Sequence, residues 1–471
     1  CTMSEVLVLL LLFFLMIGMP LTVAMFPMTG WTTVALTALA SLVYWWPLLG
    51  ITVSTIIFLW RFWMSMPSTN EVWSADKTQP RSRLLVVLGS GDHTTEMLYD
   101  LSAVEDWREK FDAAYIIADS DKKSLAPANA FENDIHGRDA KVITIPGPSE
   151  SSSTSMMLTL RATLATLRAV LVVWPDAIVC NGADLCLPAV IAAYIPRILW
   201  WKRIAILHSE SFACIDDFSH SGSFFFQFAD VFTVQWDALY QNCSMRAQYG
   251  HLLHGGRCRD GEKLEVLPLE AQEGDGTAIV TVGSTTFDEL IRAIDNEAFV
   301  GALVALGIKR LKVQKGNGSY EPTVLIGEAA REAGLESEVL TYSPSLSEDL
   351  HCASLVISHA GAGTVLDCLN TNRRMLIVPN EALADTNQVQ FCEELKRYEL
   401  LRWSRCDDIV PTLEGYTGEG LRRFPENATP TFASALRHLC GRPSKEEQDK
   451  RNHHNRSRQD PYGYDRYSYD R

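Results

Sequence analysis

The sequence predicts an α/β protein with two consecutive parallel-sheet domains behind an apolar N-terminal segment. Three observations carry this. Short apolar runs alternate with segments of helical period, twice along the chain, which is the pattern of a parallel sheet covered by helices. Each series holds a turn of small residues between an apolar run and an amphipathic stretch: Gly89-Ser90-Gly91-Asp92-His93, and Ser358-His359-Ala360-Gly361-Ala362-Gly363-Thr364. The longest uncharged runs crowd the N-terminus.

At 471 residues and 47% apolar, the chain can hold two ordinary domains and a smaller piece. Val6 to Phe26 is uncharged and matches the ~20 residues that cross a bilayer as a helix. Val34 to Trp60 is as long but contains Pro47, so it reads as a kinked span or a re-entrant element. Residues 1–62 are therefore expected to anchor the chain through one or two spans. Arg61, Lys77, Arg81 and Arg83 follow the second run, whereas only Glu5 precedes the first. That basic flank places everything downstream on the cytosolic side. Cys1 stands where an initiator Met belongs, so further sequence upstream is expected.

The first domain spans 83–254. Its buried strands are expected at Leu84-Leu88, Ala114-Ala118, Val142-Ile145, Ala177-Cys180, Ile204-Leu207 and Val231-Val234. Met157 to Val173 has helical spacing and ends before Trp174-Pro175, after a polar loop from Ser149 to Ser155. The acidic, glycine-containing stretch 255–276 shows neither period and reads as a linker. The second domain, 277–440, opens with Ala278-Val282; Gly283-Ser284-Thr285 turns the chain, and Thr286 to Glu289 has capping-box spacing. Further strands are expected at Leu311-Gln314, Val339-Tyr342, Leu355-Ile357 and Met375-Val378. Residues 441–471 lack aliphatic core residues and are expected to be disordered. The order implies two Rossmann-like domains with a crevice between the carboxyl ends of their strands.

A formal charge of −15 excludes a sequence-independent nucleic-acid binder. Eleven cysteines without a Cys-x-x-Cys pair suit reduced thiols better than a disulfide framework or a zinc site. The two glycine turns are anion cradles, since glycine lets backbone approach a ligand and the following helix offers its first amides to a diphosphate. Two such half-sites point to transfer between two bound substrates.

In this order the motifs resemble the eukaryotic UDP-N-acetylglucosamine transferase that adds the second sugar to dolichol diphosphate. The first half is similar to its membrane-anchored subunit through Gly89 to Leu98, Asp121-Lys122-Lys123-Ser124, Cys180-Asn181-Gly182, Ser209-Glu210-Ser211 and Ala229-Asp230. The second is similar to its catalytic subunit through Val282-Gly283-Ser284-Thr285, Ile357 to Thr364 and Asn380-Glu381. The resemblance implies a type B glycosyltransferase whose two domains face a cleft. It implies donor contacts from Gly283, Ser284, Thr285, Ser358, His359, Ala360, Gly361, Ala362, Gly363, Thr364, Asp367 at the ribose, and Asn387 and Gln388 at the sugar. It places the acceptor at Gly89, Ser90, Gly91, Asp121, Asn181 and Gly182. Asp385-Thr386-Asn387-Gln388 carries Asn where the family has His, and Cys214 stands where an Arg is common.

Inverting transfer needs a base for the attacking hydroxyl and a stabiliser for the leaving diphosphate. His93, at the top of the first sheet, is the first candidate base, Glu210 the second and Asp121 the third. His359 either contacts the diphosphate or caps the helix. Asp92 occupies a position that is more often Gly, and its carboxylate is expected to be solvated. Asp119-Ser120-Asp121 resembles a metal-binding Asp-x-Asp, but the helix N-terminus offers a metal-free donor site, so no metal or other cofactor is expected. Phe224, Phe225, Phe226 and Phe228 are expected in the core. The expected partners are UDP-GlcNAc, a dolichol-linked acceptor, the endoplasmic-reticulum membrane and the GlcNAc-phosphotransferase of the preceding step. The rivals are a transferase for another UDP-sugar or polyprenyl acceptor, and an inactive membrane scaffold.

Overall fold

The computed structural model describes residues 49–67 and, between 81 and 441, all but 90, 148–155, 183–184, 245–250, 259–275, 284, 344–345, 382–386, 417–419 and 425–429. Val6 to Phe26, the first part of the second apolar run, most of the linker and the tail beyond 441 lie outside the described residues. The chain divides into two compact units, 1–66 and 67–471. In the first, residues 49–65 are helical, with Ile51, Phe58, Leu59, Trp63 and Met64 exposed. Among the described residues no helix is long and apolar enough to cross a membrane.

The second unit contains two parallel sheets. The first has strands β1 (Ser82–Val87), β2 (Phe111–Ala118), β3 (Lys141–Ile145), β4 (Ala177–Asn181), β5 (Ala205–Ser209), β6 (Val231–Trp236) and β7 (His251–Cys258), in the order β3-β2-β1-β4-β5-β6-β7. The second has β8 (Thr277–Thr281), β9 (Arg310–Gln314), β10 (Glu336–Leu340), β11 (Leu355–Ser358), β12 (Met375–Ile377) and β13 (Arg402–Trp403), in the order β10-β9-β8-β11-β12-β13. Leu84, Leu85, Val86 and Val87 are all fully buried, because a central strand covered by helices on both faces has no wet side and needs no alternation. The edge strand β10, Glu-Ser-Glu-Val-Leu, stays partly exposed.

The strand order reverses between β1 and β4 in one sheet and between β8 and β11 in the other. Neighbouring loops diverge at such a reversal, leaving a crevice at the carboxyl ends. The four segments leaving those strands carry Gly89 and Gly91, Asn181 and Gly182, Gly283 and Thr285, and Ser358 to Gly361. The predicted ligand turns thus all sit at switch points.

Four local expectations change. Strand β7 runs on to Cys258, past the point where the linker was read, because it pairs with β6 through Trp236 and Cys258 across a register shift. Pairing is a tertiary interaction that Gly255-Gly256 does not signal. The capping box at Thr286 does not form. The helix runs Asp288–Ile294 without a side-chain cap, and Asp288 instead accepts hydrogen bonds from Ser319 Oγ (2.8 Å) and the Ser319 and Tyr320 amides. The helix Pro430–Leu439, which the sequence reading gave to the second domain, packs on the first. Phe432, Leu436 and Leu439 share a core with Leu84, Leu101 and Trp107, and Ser82 Oγ donates to the Cys440 carbonyl (3.3 Å). Each such large side chain taken from water contributes about 1.5–3 kcal/mol, so this helix clamps the chain's end onto its first domain. The phenylalanine run is divided: Phe225 is buried and Phe224 is exposed.

Candidate functional site

Strand β1 ends at Val87, and the chain turns through Gly89 and Gly91 (φ 63°) into helix α1 (Asp92–Ser102). His93 lies in the first turn of α1 against two glycines. A Cβ at Gly182 would fall 2.8 Å from His93 Cγ, and one at Gly89 2.8 Å from His93 Cβ. Gly182 also has φ 76°, which a side chain would strain. Asn181 Nδ2 donates to the His93 carbonyl (2.7 Å), and Thr94 Oγ1 donates to that of Gly89 and lies 2.6 Å from Ser124 Oγ. Asp121 accepts from the amides of Lys123 (3.0 Å) and Ser124 (3.2 Å). Gly89, Asn181 and Gly182 therefore converge on His93, whereas a Cβ at Gly91 would meet open space. Among the described residues Asp121 is joined to them through Ser124, and its carboxylate closes a turn. Asp119 accepts from Gly147 N (3.1 Å), so the two carboxylates of Asp-x-Asp hold separate turns.

His93 Nδ1 lies 4.0 Å from Glu96 Oε2, on a buried carboxyl one helical turn on. The serines of Ser-Glu-Ser reach α1 as well: Ser211 Oγ donates to Glu96 (2.9 Å) and Ser209 Oγ to Asp100 (2.7 Å). Glu210 itself is buried and accepts from Ser211 N (3.1 Å) and Ser219 Oγ (2.9 Å). These hydrogen bonds brace the loop after β5. Glu96 was missed at the sequence level. Its signal is a carboxylate at i and another at i+4, Asp100, on a helix face that must pack on a sheet.

In the second lobe the glycines again frame a histidine. His359 is 6% exposed, with its amide bonded to the Thr281 carbonyl (3.1 Å). A Cβ at Gly283 would lie 2.8 Å from His359 Cε1, and one at Gly361 2.5 Å from Nε2. Helix α2 (Ala362–Asn370) then begins at Gly361 with no side-chain cap, and His359 Nδ1 is buried without a hydrogen-bond partner. Burial lowers the imidazole pKa against the pull of the Asp92 carboxylate, which keeps the ring neutral. Thr285 Oγ1 donates to the Val282 carbonyl (2.7 Å), Ser358 Oγ to that of His359 (2.9 Å), and Gln388 Oε1 accepts from Asn380 N (3.0 Å). These three shape the loops. Ser284 and the Asn387 side chain lie outside the described residues.

The two glycine turns meet. A Cβ at Gly361 would come 2.7 Å from Asp92 Oδ2, and one at Gly363 2.7 Å from Asp92 Oδ1. Asp92 is therefore not the solvated residue expected: the lobes bring its carboxylate against the second turn. Two turns of α1 further, Tyr99 Oη donates to Asp367 Oδ1 (2.6 Å). Lys123 Nζ stands 5.0 Å over the Tyr342 ring, and Phe212 packs edge-on against Phe391.

Burial is the main cause that pushes the Asp367 carboxyl up to about 6; the Tyr99 hydrogen bond and His351 oppose it and Asp92 adds to it. A carboxyl raised on folding keeps its proton where the unfolded chain has lost it, so its contribution to stability falls as pH rises from about 4 to about 6. Asp367→Asn should therefore be more stable than wild type at pH 7.5, by on the order of 2 kcal/mol in urea unfolding, with the gain gone near pH 4. A gain that grows toward acid would refute the assignment.

Comparison with known proteins decides the family. Residues 84–252 match the family described as oligosaccharide biosynthesis protein Alg14 like, and residues 277–435 match the glycosyltransferase family 28 C-terminal domain. The chain is 31% identical over 210 residues to the human UDP-N-acetylglucosamine transferase subunit ALG14, covering 42% of this chain and 93% of that subunit. The chain belongs to the ALG14 family. Its second half extends that family's domain with a family 28 domain. It is also 36% identical over 129 residues to the mouse UDP-N-acetylglucosamine transferase subunit ALG13, covering 27% of this chain and 11% of that subunit. Among solved structures, a putative UDP-N-acetylglucosamine 2-epimerase from Listeria monocytogenes matches with a TM-score of 0.52 at 11% identity, covering 78% of this chain and 99% of that one. That likeness shows the two-domain fold alone. In this ALG14-family chain His93, Glu96, Asn181 and Gly182 belong to the Alg14-like half, and Gly283 and the His359 to Thr364 turn to the family 28 half.

Proposed function

We propose that this chain is an inverting UDP-GlcNAc-dependent glycosyltransferase of type B architecture, carrying in one polypeptide the two halves that its relatives hold as separate subunits. It moves GlcNAc from UDP-GlcNAc to GlcNAc-diphospho-dolichol, giving the chitobiosyl lipid that precedes protein N-glycosylation. The observation that carries this is the meeting of two switch-point glycine turns, one from each lobe, each framing a histidine. The uncapped amides of α2 and the neutral His359 ring suit the leaving diphosphate, and because the helix end supplies the positive potential, no metal is needed. His93, in reach of Glu96, takes the proton from the attacking hydroxyl. The acceptor lipid cannot leave its bilayer, so an anchor within residues 1–62 holds the enzyme on the cytosolic face of the endoplasmic reticulum, next to the phosphotransferase that makes its acceptor. Tethering keeps the donor half at high effective concentration for the acceptor half.

Full-length protein incubated with labelled UDP-GlcNAc and a GlcNAc-diphospho-lipid should yield the chitobiosyl product by mass spectrometry, without a second subunit and in the presence of a chelator. His93→Ala should lower turnover by about 10²–10⁴-fold. Absence of product from the purified chain, or a preference for UDP-glucose or UDP-GalNAc, overturns the proposal.

A further inference from the structure

We infer that Asp92 and Tyr99 are a built-in occupant of the donor pocket, a self-closed arrangement that UDP-GlcNAc must displace. This rests on the donor reading of the Gly361 to Thr364 turn. Asp92 is the first residue of α1 and its two carboxylate oxygens split between the glycines of the opposite turn: Oδ2 faces Gly361 and Oδ1 faces Gly363, each at 2.7 Å from where a Cβ would stand. That turn is made to receive an anion. Its helix end has no side-chain cap, and a histidine more than nine-tenths buried turns Nε2 toward Gly361 while its Nδ1 has no hydrogen-bond partner. The anionic group set against it is the chain's own Asp92 carboxylate. The ribose side is held in the same way, because the Asp367 carboxylate accepts from the Tyr99 hydroxyl of the same helix.

A diphosphate and a carboxylate cannot share one cradle, since like charges a few ångströms apart repel and the space taken by one is denied to the other. Asp92 rotates away before the diphosphate enters. The measured donor affinity is then the intrinsic affinity reduced by the fraction of molecules in which its carboxylate has left the cradle. Asp92 thus sets donor affinity without touching the reacting atoms. With Gly at this position the cradle would stand empty.

Calorimetric titration of the full chain with UDP and with uridine tests this on wild type, Asp92→Asn, Asp92→Gly and Tyr99→Phe. Asp92→Asn keeps shape and removes charge, and should tighten UDP about tenfold while leaving uridine unchanged, because only the phosphates meet the carboxylate. Asp92→Gly should tighten UDP at least as much, and Tyr99→Phe should tighten both UDP and uridine about threefold by freeing Asp367. If wild type binds UDP and Asp92→Asn binds it equally or more weakly, the inference falls and the donor reading stands. If neither binds UDP, both fall. Equal tightening of uridine by Asp92→Asn also overturns the inference, since it would reflect a general loosening of the lobes.

Discussion

Replacing Gly361 by Val should abolish UDP-GlcNAc transfer, with a loss of about 10²-fold or more in kcat/KM and no measurable UDP binding. The first atom of any side chain there would stand 2.5 Å from His359 Nε2 and 2.7 Å from Asp92 Oδ2, in the space where backbone must approach the diphosphate. Gly361 has φ −78°, so valine meets no backbone strain and the obstruction is local. Far-ultraviolet circular dichroism should therefore match wild type while transfer disappears. Activity within threefold of wild type would show that the turn does not cradle the donor.

The largest loss of stability is expected at Asp230. This carboxylate and the Arg197 guanidinium form an ion pair with both side chains almost wholly buried, and Asp230 Oδ2 also accepts from Ile206 N (2.8 Å). Arg197 Nε in turn donates to the Ile204 carbonyl (2.6 Å), so the pair ties the helix Cys186–Ile198 to strands β5 and β6. Burial pushes the Asp230 carboxyl up against the pull of Arg197, which marks how little water reaches it. Asp230→Ala leaves a guanidinium buried without its counter-charge and should cost about 3–5 kcal/mol in urea unfolding. A cost below about 1 kcal/mol would mean that water or a shifted side chain replaces the partner. Asp230 and Ala229 stand among the motifs that resemble the anchored subunit, and the structure gives this pair a fold-stabilising reason for being there.

Much of the architecture could be read directly. Eleven of the thirteen strands were expected within a few residues, because a strand covered on both faces must be a short continuous apolar run, as in Leu84 to Leu88. The two-residue β13 and the glycine-bearing β7 escaped, since each is a strand only by pairing with a neighbour already in place. The site was partly legible. Glycine turns after strands β1, β8 and β11 were visible as local patterns, and they landed at the reversals of strand order. Asp121 and Glu210 are acidic residues that follow strands β2 and β5, and the structure engages both in loop hydrogen bonds. Glu96 and Tyr99 were passed over because their importance lies in what faces them, Ser211 and Asp367, 115 and 268 residues away.

By itself the sequence determined the two parallel sheets, their order of elements and the places where backbone can approach a ligand, because apolar period and glycine content act within a few residues. Only the tertiary structure decided which carboxylates are buried, that the helix Pro430–Leu439 returns to the first sheet, and that Asp92 lies in the opposite turn. Those outcomes depend on which distant surfaces exclude water together. No local pattern encodes that.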